Sequence, residues 1–173
     1  CRKACHYCNF HFSTTLRTKP EMIAGILAEL ELQQDFLKGV PLSSIYLGGG
    51  TPSLLDISEL VQIFDRISGL HQLETNAEIT LEANPSSVEA ERFRAYRSAG
   101  VNRVSLGVQA LNDPDLRSLG RLHSLAEALA AIDLALDAGE LREVLGVLQR
   151  EGVRGAGIEP DVEDVSHGLV ISG

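Results

Sequence analysis

Apolar residues recur along the chain at two alternating spacings, and the alternation predicts an architecture. From Lys19 to Lys38, Met22, Ile23, Ile26, Leu27, Leu30 and Leu32 fall near helical spacing, so an amphipathic helix closed by Gly39 is expected. Ser44-Ile45-Tyr46-Leu47 is then a β-prone run that stops at Gly48-Gly49-Gly50-Thr51-Pro52, where glycine and proline end a strand. Asp56 and Glu59 have capping-box spacing and open a second helix to Leu70, and Ala77 to Leu81 is a second strand leaving through Glu82-Ala83-Asn84-Pro85. Ser86 and Glu89 repeat the box for a helix to about Gly100. Arg103 to Val108 is a third strand leading into Gln109. Asp113-Pro114 starts a short helical turn, and Ser124 with Glu127 opens an alanine- and leucine-rich helix that Gly139 should end.

This order predicts an α/β fold of βα units in one parallel sheet, open or barrelled, because each crossover helix is long enough to return its strand parallel to the last. Both arrangements place functional loops at the C-terminal ends of strands. Gly48 to Pro52, Glu82 to Pro85 and Gln109 all follow strands directly, so they are expected to converge on one rim.

Composition narrows the function. The 173 residues are 44 % apolar, enough for a buried core, and no apolar run approaches the roughly 18 to 20 residues that span a bilayer. A net charge of −9 without a Lys/Arg stripe disfavours nucleic acid as the principal partner. The first residue is cysteine and no signal peptide is visible, so a piece of a longer chain is expected. All three cysteines lie in the first eight residues, an odd number at short spacing, which suits metal or cluster binding in a reducing compartment, the cytoplasm, better than disulfides.

Cys1-x3-Cys5-x2-Cys8 sets three thiols on one short loop, able to wrap a cluster while leaving one iron without a protein ligand. Zinc is the alternative, with His6 or His11 as a fourth ligand to finger-like spacing. A redox dithiol fits less well, since no strand precedes Cys5 and no helix start follows Cys8. The triple glycine brings backbone close to a ligand or simply makes a tight turn.

The cysteine spacing, Tyr7 before the third cysteine and a strand-borne Gly-Gly-Gly-Thr-Pro together resemble the radical-SAM superfamily. Cys8-Asn9-Phe10, Tyr46-Leu47 with its glycine run, Glu82-Ala83-Asn84-Pro85, and Asn102 to Gln109 resemble the oxygen-independent coproporphyrinogen III oxidase group, especially its heme-chaperone branch, HemW. Oxidases of that group carry a further cysteine two residues after the third, where this chain has Phe10, and phenylalanine there favours the chaperone branch. The resemblance runs from Cys1 to about Gly139.

The resemblance implies a partial radical-SAM (βα) barrel, incomplete at both ends. It implies that Cys1, Cys5 and Cys8 hold a [4Fe–4S] cluster whose open iron takes S-adenosylmethionine, cleaved after one-electron reduction. Tyr7, through its backbone, and Gly49, Gly50, Thr51 and Glu82 would contact that S-adenosylmethionine, while Gln109 and Arg121 match contacts to a second one in the oxidase relatives. Heme is the implied cargo, with His6, His11, His71, His123 and His167 as conceivable ligands, and a flavodoxin-like protein the implied electron donor. The alternatives are a coproporphyrinogen III oxidase, or a non-catalytic zinc-binding or inert piece.

After Gly139 the family would continue into another strand with an Asn-x-Asp-Leu-x-x-Gly-Leu-Pro segment, whereas this chain has Glu140-Leu141-Arg142-Glu143-Val144-Leu145. Residues Glu140 to Gly152 suggest an amphipathic helix, and Arg154 to Pro160 match no family block. The expected division is a core of residues 1–139 and a divergent tail of 140–173, arising from a frameshift, truncation or gene-model error near Gly139.

Overall fold

A computed structural model describes residues 1, 3–8, 13–86, 92–138, 142–147 and 168–172. The elements run α1 (Lys19–Leu32), β1 (Leu42–Gly48), α2 (Ile57–Leu70), β2 (Leu73–Ala83), α3 (Phe93–Ser98), β3 (Arg103–Gln109), α4 (Asp113–Ser118), α5 (Leu125–Asp137), β4 (Arg142–Val147) and β5 (Gly168–Ser172). The five strands form one parallel sheet in the order β4-β3-β2-β1-β5, which is open among the described residues.

Local chemistry accounts for most of these boundaries. The Asp56/Glu59 box caps α2, and Ser124 accepts from the Glu127 backbone N–H while the Glu127 carboxylate accepts from Ser124, capping α5. The carboxyl of Glu127 is consequently held below its ordinary pKa, first by the Ser124 backbone N–H and then by the Ser124 hydroxyl. Helix α3 ends with Gly100 at φ +113°, its N–H on the Arg97 carbonyl and that of Val101 on Tyr96. This is the Schellman arrangement, which a glycine adopts without steric penalty.

Two expectations change. Helix α1 stops at Leu32 rather than Lys38: the apolar spacing lapses at Gln33-Gln34-Asp35, and the chain continues in turns that join Phe36 N–H to Gln33, Lys38 to Asp35 and Val40 to Leu37. The helix expected over Glu140 to Gly152 is instead β4 at 142–147, parallel to β3. Val144-Leu145-Gly146-Val147 is β-prone, and the open backbone edge of β3 offers it a ladder of hydrogen bonds that outweighs a helical charge pattern. Of the helix expected from Ser86, Phe93–Ser98 is described as α3, while its start, with Glu89 of the second expected capping box, lies outside the described residues.

The strands are two-sided. Ile45, Leu47, Leu81, Ala83, Val104, Leu106 and Val108 are buried with Leu60, Ile63 and Ile67 of α2, Phe93 and Tyr96 of α3, and Ala128, Ala131 and Ala135 of α5. Each large aliphatic side chain in that layer stabilises the fold by about 1.5–3 kcal/mol through removal from water. The alternate positions, Ser44, Tyr46, Glu78, Glu82, Arg103, Ser105, Gly107 and Gln109, are half-buried and mostly polar. Parallel sheets are usually apolar on both faces, so a polar second face marks a surface kept for something other than core packing.

Candidate cluster and cofactor site

The polar face carries a ladder of contacts that rises toward the C-terminal rim. At its lower end Arg103 Nη1 pairs with Glu78 Oε1 at 2.7 Å. Above it, Tyr46 donates its hydroxyl to Glu82 Oε1 at 2.8 Å, and the Gly49 backbone N–H donates to Glu82 Oε2 at 3.2 Å. Burial, and then the Glu82 carboxylate, push the Tyr46 hydroxyl up to about 12, so it remains a neutral donor at physiological pH.

The three glycines have different reasons to be there. A Cβ on Gly48 would lie 2.7 Å from Tyr46 Cε1 and 3.2 Å from the Glu82 carboxyl carbon, so glycine is what lets Tyr46 reach Glu82. Gly49 sits at φ +102°, a conformation L side chains rarely adopt. Gly50 has open space around it, which leaves backbone accessible without a packing reason. The loop then closes in a 3-10 turn at Pro52–Leu54. It is fixed from the side by Tyr96 Oη and Arg92 Nη1, which donate to the Ser53 carbonyl at 2.8 and 2.9 Å.

The cysteine loop lies on this rim. Thr51 donates its hydroxyl to Cys1 Sγ at 3.2 Å, and Arg121 Nη1 donates to Cys5 Sγ at 3.4 Å. The Cys8 N–H returns to the Cys5 carbonyl at 3.2 Å, making a turn between them. His6 fastens the loop from below, with its N–H on the Leu119 carbonyl at 3.2 Å and Nδ1 3.0 Å from the Ser118 carbonyl. Its ring covers Gly120, where a Cβ would meet it at 3.1 Å. Gly120 also stands at φ +75°, ending α4 in the same Schellman arrangement that puts Arg121 at the rim.

Cys1, Cys5 and Cys8 are free and half-buried, yet among the described residues no three His, Cys, Asp or Glu side chains converge as a metal-binding group. The loop is thus gathered at the rim, with Cys1 bonded to Thr51 and Cys5 to Arg121. In type and number the donors fit a three-thiolate iron–sulfur site, and loops of this kind take their closed geometry from the metal. The accessible backbone of Gly50 and the buried Nε of Arg121, which makes no hydrogen bond among the described residues, are likewise compatible with a polar ligand lying along the rim.

Gln109 ends β3 at φ +73°, and its amide nitrogen lies 3.1 Å from where a Gly107 Cβ would be. Tyr7 is on the outer side of the loop, its hydroxyl accepting from Arg121 at 3.3 Å, and burial is the first of the causes that raise its pKa. Of the histidines, His123 is buried with Nε2 3.1 Å from the Val108 carbonyl, and burial lowers its pKa. His6 is spent on the loop, while His11 and His167, together with Phe10, lie outside the described residues. Tyr46 stands in the motif that precedes the glycine run, but its contact with Glu82 is not read from that motif. Its signal is period two: it shares a strand face with Gly48.

The Radical SAM superfamily model matches residues 1–148, extending past Gly139 through β4. The heme chaperone HemW of Haemophilus influenzae is 41 % identical over 145 residues, which cover 80 % of this chain and 38 % of that protein. Mouse mitochondrial radical S-adenosyl methionine domain-containing protein 1 is 36 % identical over 133 residues, covering 76 % and 30 %. Among solved structures, the coproporphyrinogen III oxidase HemN of Escherichia coli, a radical SAM enzyme, superposes with a TM-score of 0.75 at 25 % identity. That match covers 85 % of this chain and 34 % of the oxidase. The chain therefore spans less than half the length of these relatives, and the resemblance to the HemW branch and to its oxidase group is borne out. With its cysteine loop seated on the C-terminal rim of a parallel sheet and the family model matched from residue 1 to 148, the chain belongs to the radical SAM superfamily.

Proposed function

We propose that Cys1, Cys5 and Cys8 hold a [4Fe–4S] cluster and that S-adenosylmethionine binds beside it. The observation that carries this is the contact of the cysteine loop with the glycine turn, Thr51 Oγ1 to Cys1 Sγ at 3.2 Å, which joins two segments far apart in sequence. When bound, the cluster supplies one electron for reductive cleavage of S-adenosylmethionine. The chain's own part is to hold the cofactor: backbone of Gly49, Gly50 and Tyr7, the Thr51 hydroxyl, and the Glu82 carboxylate as acceptor for an ammonium or ribose hydroxyl. Gln109 and Arg121 complete the rim as contacts to a further S-adenosylmethionine.

The wider function that fits is delivery of heme, by similarity to HemW, with a flavodoxin-like electron donor and a cytoplasmic location. The division into a core of residues 1–139 and a tail belongs to this proposal, the tail adding β4 and β5 to the sheet edges. Anaerobic reconstitution of the full chain tests the cluster: about four irons and four sulfides per chain are expected. One zinc without acid-labile sulfide overturns it. A second reading, porphyrinogen oxidation, is favoured by the superposition on the oxidase. Conversion of coproporphyrinogen III by the reconstituted chain would establish it, and heme binding without conversion would support the chaperone.

A further inference from the structure

Arg121 is half-buried at the start of the loop between α4 and α5, and its guanidinium joins three segments of the rim. Nη1 donates to Cys5 Sγ at 3.4 Å and to Tyr7 Oη at 3.3 Å, both on the cysteine loop. Nη2 donates to Asn84 Oδ1 at 2.7 Å beyond β2, and to the Gly107 carbonyl at 2.7 Å on β3. Both η nitrogens are thus occupied within the protein. Nε–H is buried and makes no hydrogen bond among the described residues. The placement is over-determined, because the Schellman turn at Gly120 fixes the Arg121 backbone and the His6 ring seated on that glycine ties the cysteine loop to the same turn.

We infer that Arg121 is the positioning residue of the cluster loop: its guanidinium anchors Cys5 against β2 and β3 and, through the N–H···S bond, sets the reduction potential of the cluster. This rests on the cluster proposal above and adds to it a role beyond contact with S-adenosylmethionine. The two donors reaching the sulfurs differ in charge: Cys1 receives a neutral hydroxyl from Thr51, whereas Cys5 receives a cationic N–H. A hydrogen bond from a cation to a cluster thiolate stabilises the reduced cluster more than the oxidised one, since reduction adds negative charge beside it. The rigid guanidinium fork matters as well as its charge, because one planar group has to serve Cys5 on one side and Asn84 with Gly107 on the other.

The test is potentiometric titration of the reconstituted full chain, followed by electron paramagnetic resonance, for wild type, R121Q and R121K. In R121Q, iron content stays at the wild-type level and the equilibrium constant for reduction falls about tenfold, a 59 mV shift to more negative potential for a one-electron couple. R121K, which keeps the charge but loses the fork, lies between the two. A loaded R121Q cluster at the wild-type potential overturns the inference. If R121Q does not fold, N84A removes one anchor while leaving the guanidinium in place. A negative shift there supports the inference and a wild-type potential overturns it. A wild-type chain that takes up no iron removes the cluster proposal and this inference with it. A loaded wild type whose potential is indifferent to Arg121 removes the inference alone.

Discussion

Along β1, β2 and β3, Ile45, Leu47, Leu81, Val104 and Leu106 enter the helix layer, while Tyr46, Glu82, Ser105 and Gln109 alternate with them onto the opposite face. The first set is completely or almost completely removed from water and carries no hydrogen-bonding group in its side chains. The second is half-buried and bound together by named hydrogen bonds, Tyr46 to Glu82 and Arg103 to Glu78. The same backbone ladder supports both, so each strand supplies an apolar core on one side and a hydrogen-bonded polar surface on the other. Changes on the two faces should therefore separate cleanly.

The largest effect belongs to the apolar face. L81A and I63A, each removing a fully buried side chain, are expected to cost about 2–5 kcal/mol, read as a lower midpoint in urea unfolding. E82Q on the opposite face should leave that midpoint nearly unchanged and instead weaken S-adenosylmethionine binding by about 10- to 100-fold, the scale of a lost charge-assisted hydrogen bond, measured by calorimetry. A large stability loss in E82Q would break the separation.

Next in size is the α5 cap. S124A should cost about 1 kcal/mol of unfolding free energy with no effect on cofactor affinity, since among the described residues Ser124 bonds to Glu127 at the helix terminus. The smallest effect is a pH dependence. Tyr46 ionises at about 12 in the fold against an ordinary 10, so its neutral form is favoured by folding. The stability it contributes is fully present below pH 10 and is lost as pH rises through about 12. Comparison of wild type with Y46F over that interval should show the wild type losing its advantage, and the difference between their ultraviolet titrations should show Tyr46 ionising late. A Tyr46 that titrates near 10 would mean that the polar face is looser than the Glu82 contact implies.

Much of this organisation is legible in the chain. The boxes at Asp56/Glu59 and Ser124/Glu127 announce their helices because capping is local, and Gly48 to Pro52, Glu82 and Gln109 do meet on one rim because parallel βα units place strand ends together. What was not legible depends on distant partners. Glu140 to Gly152 carry charges at helical spacing, and only the edge of β3 decides that residues 142–147 become a strand. Arg121 resembles a surface cation in sequence, yet its contacts reach Cys5, Tyr7, Asn84 and Gly107. The cysteine spacing is visible at once, whereas the bonds that seat the loop on the rim, Thr51 to Cys1 and Arg121 to Cys5, join segments far apart in the chain and are not.

The sheet order has a consequence for the time course of folding. Strands β1 to β4 are each hydrogen-bonded to the next in sequence, so their pairing needs only the closure of one intervening crossover at a time. Strand β5 joins β1 from the far end of the chain, with Ser44 against Gly168 and Gly48 against Ser172. Contacts of such long sequence separation are entropically expensive to close and form late. When this chain refolds, the Leu42–Gly48 edge therefore waits longest for β5, exposing unpaired amides beside Ile45 and Leu47. Refolding yield should accordingly fall with protein concentration at the stage when β1 is paired on one side alone, making this edge the molecule's point of kinetic vulnerability.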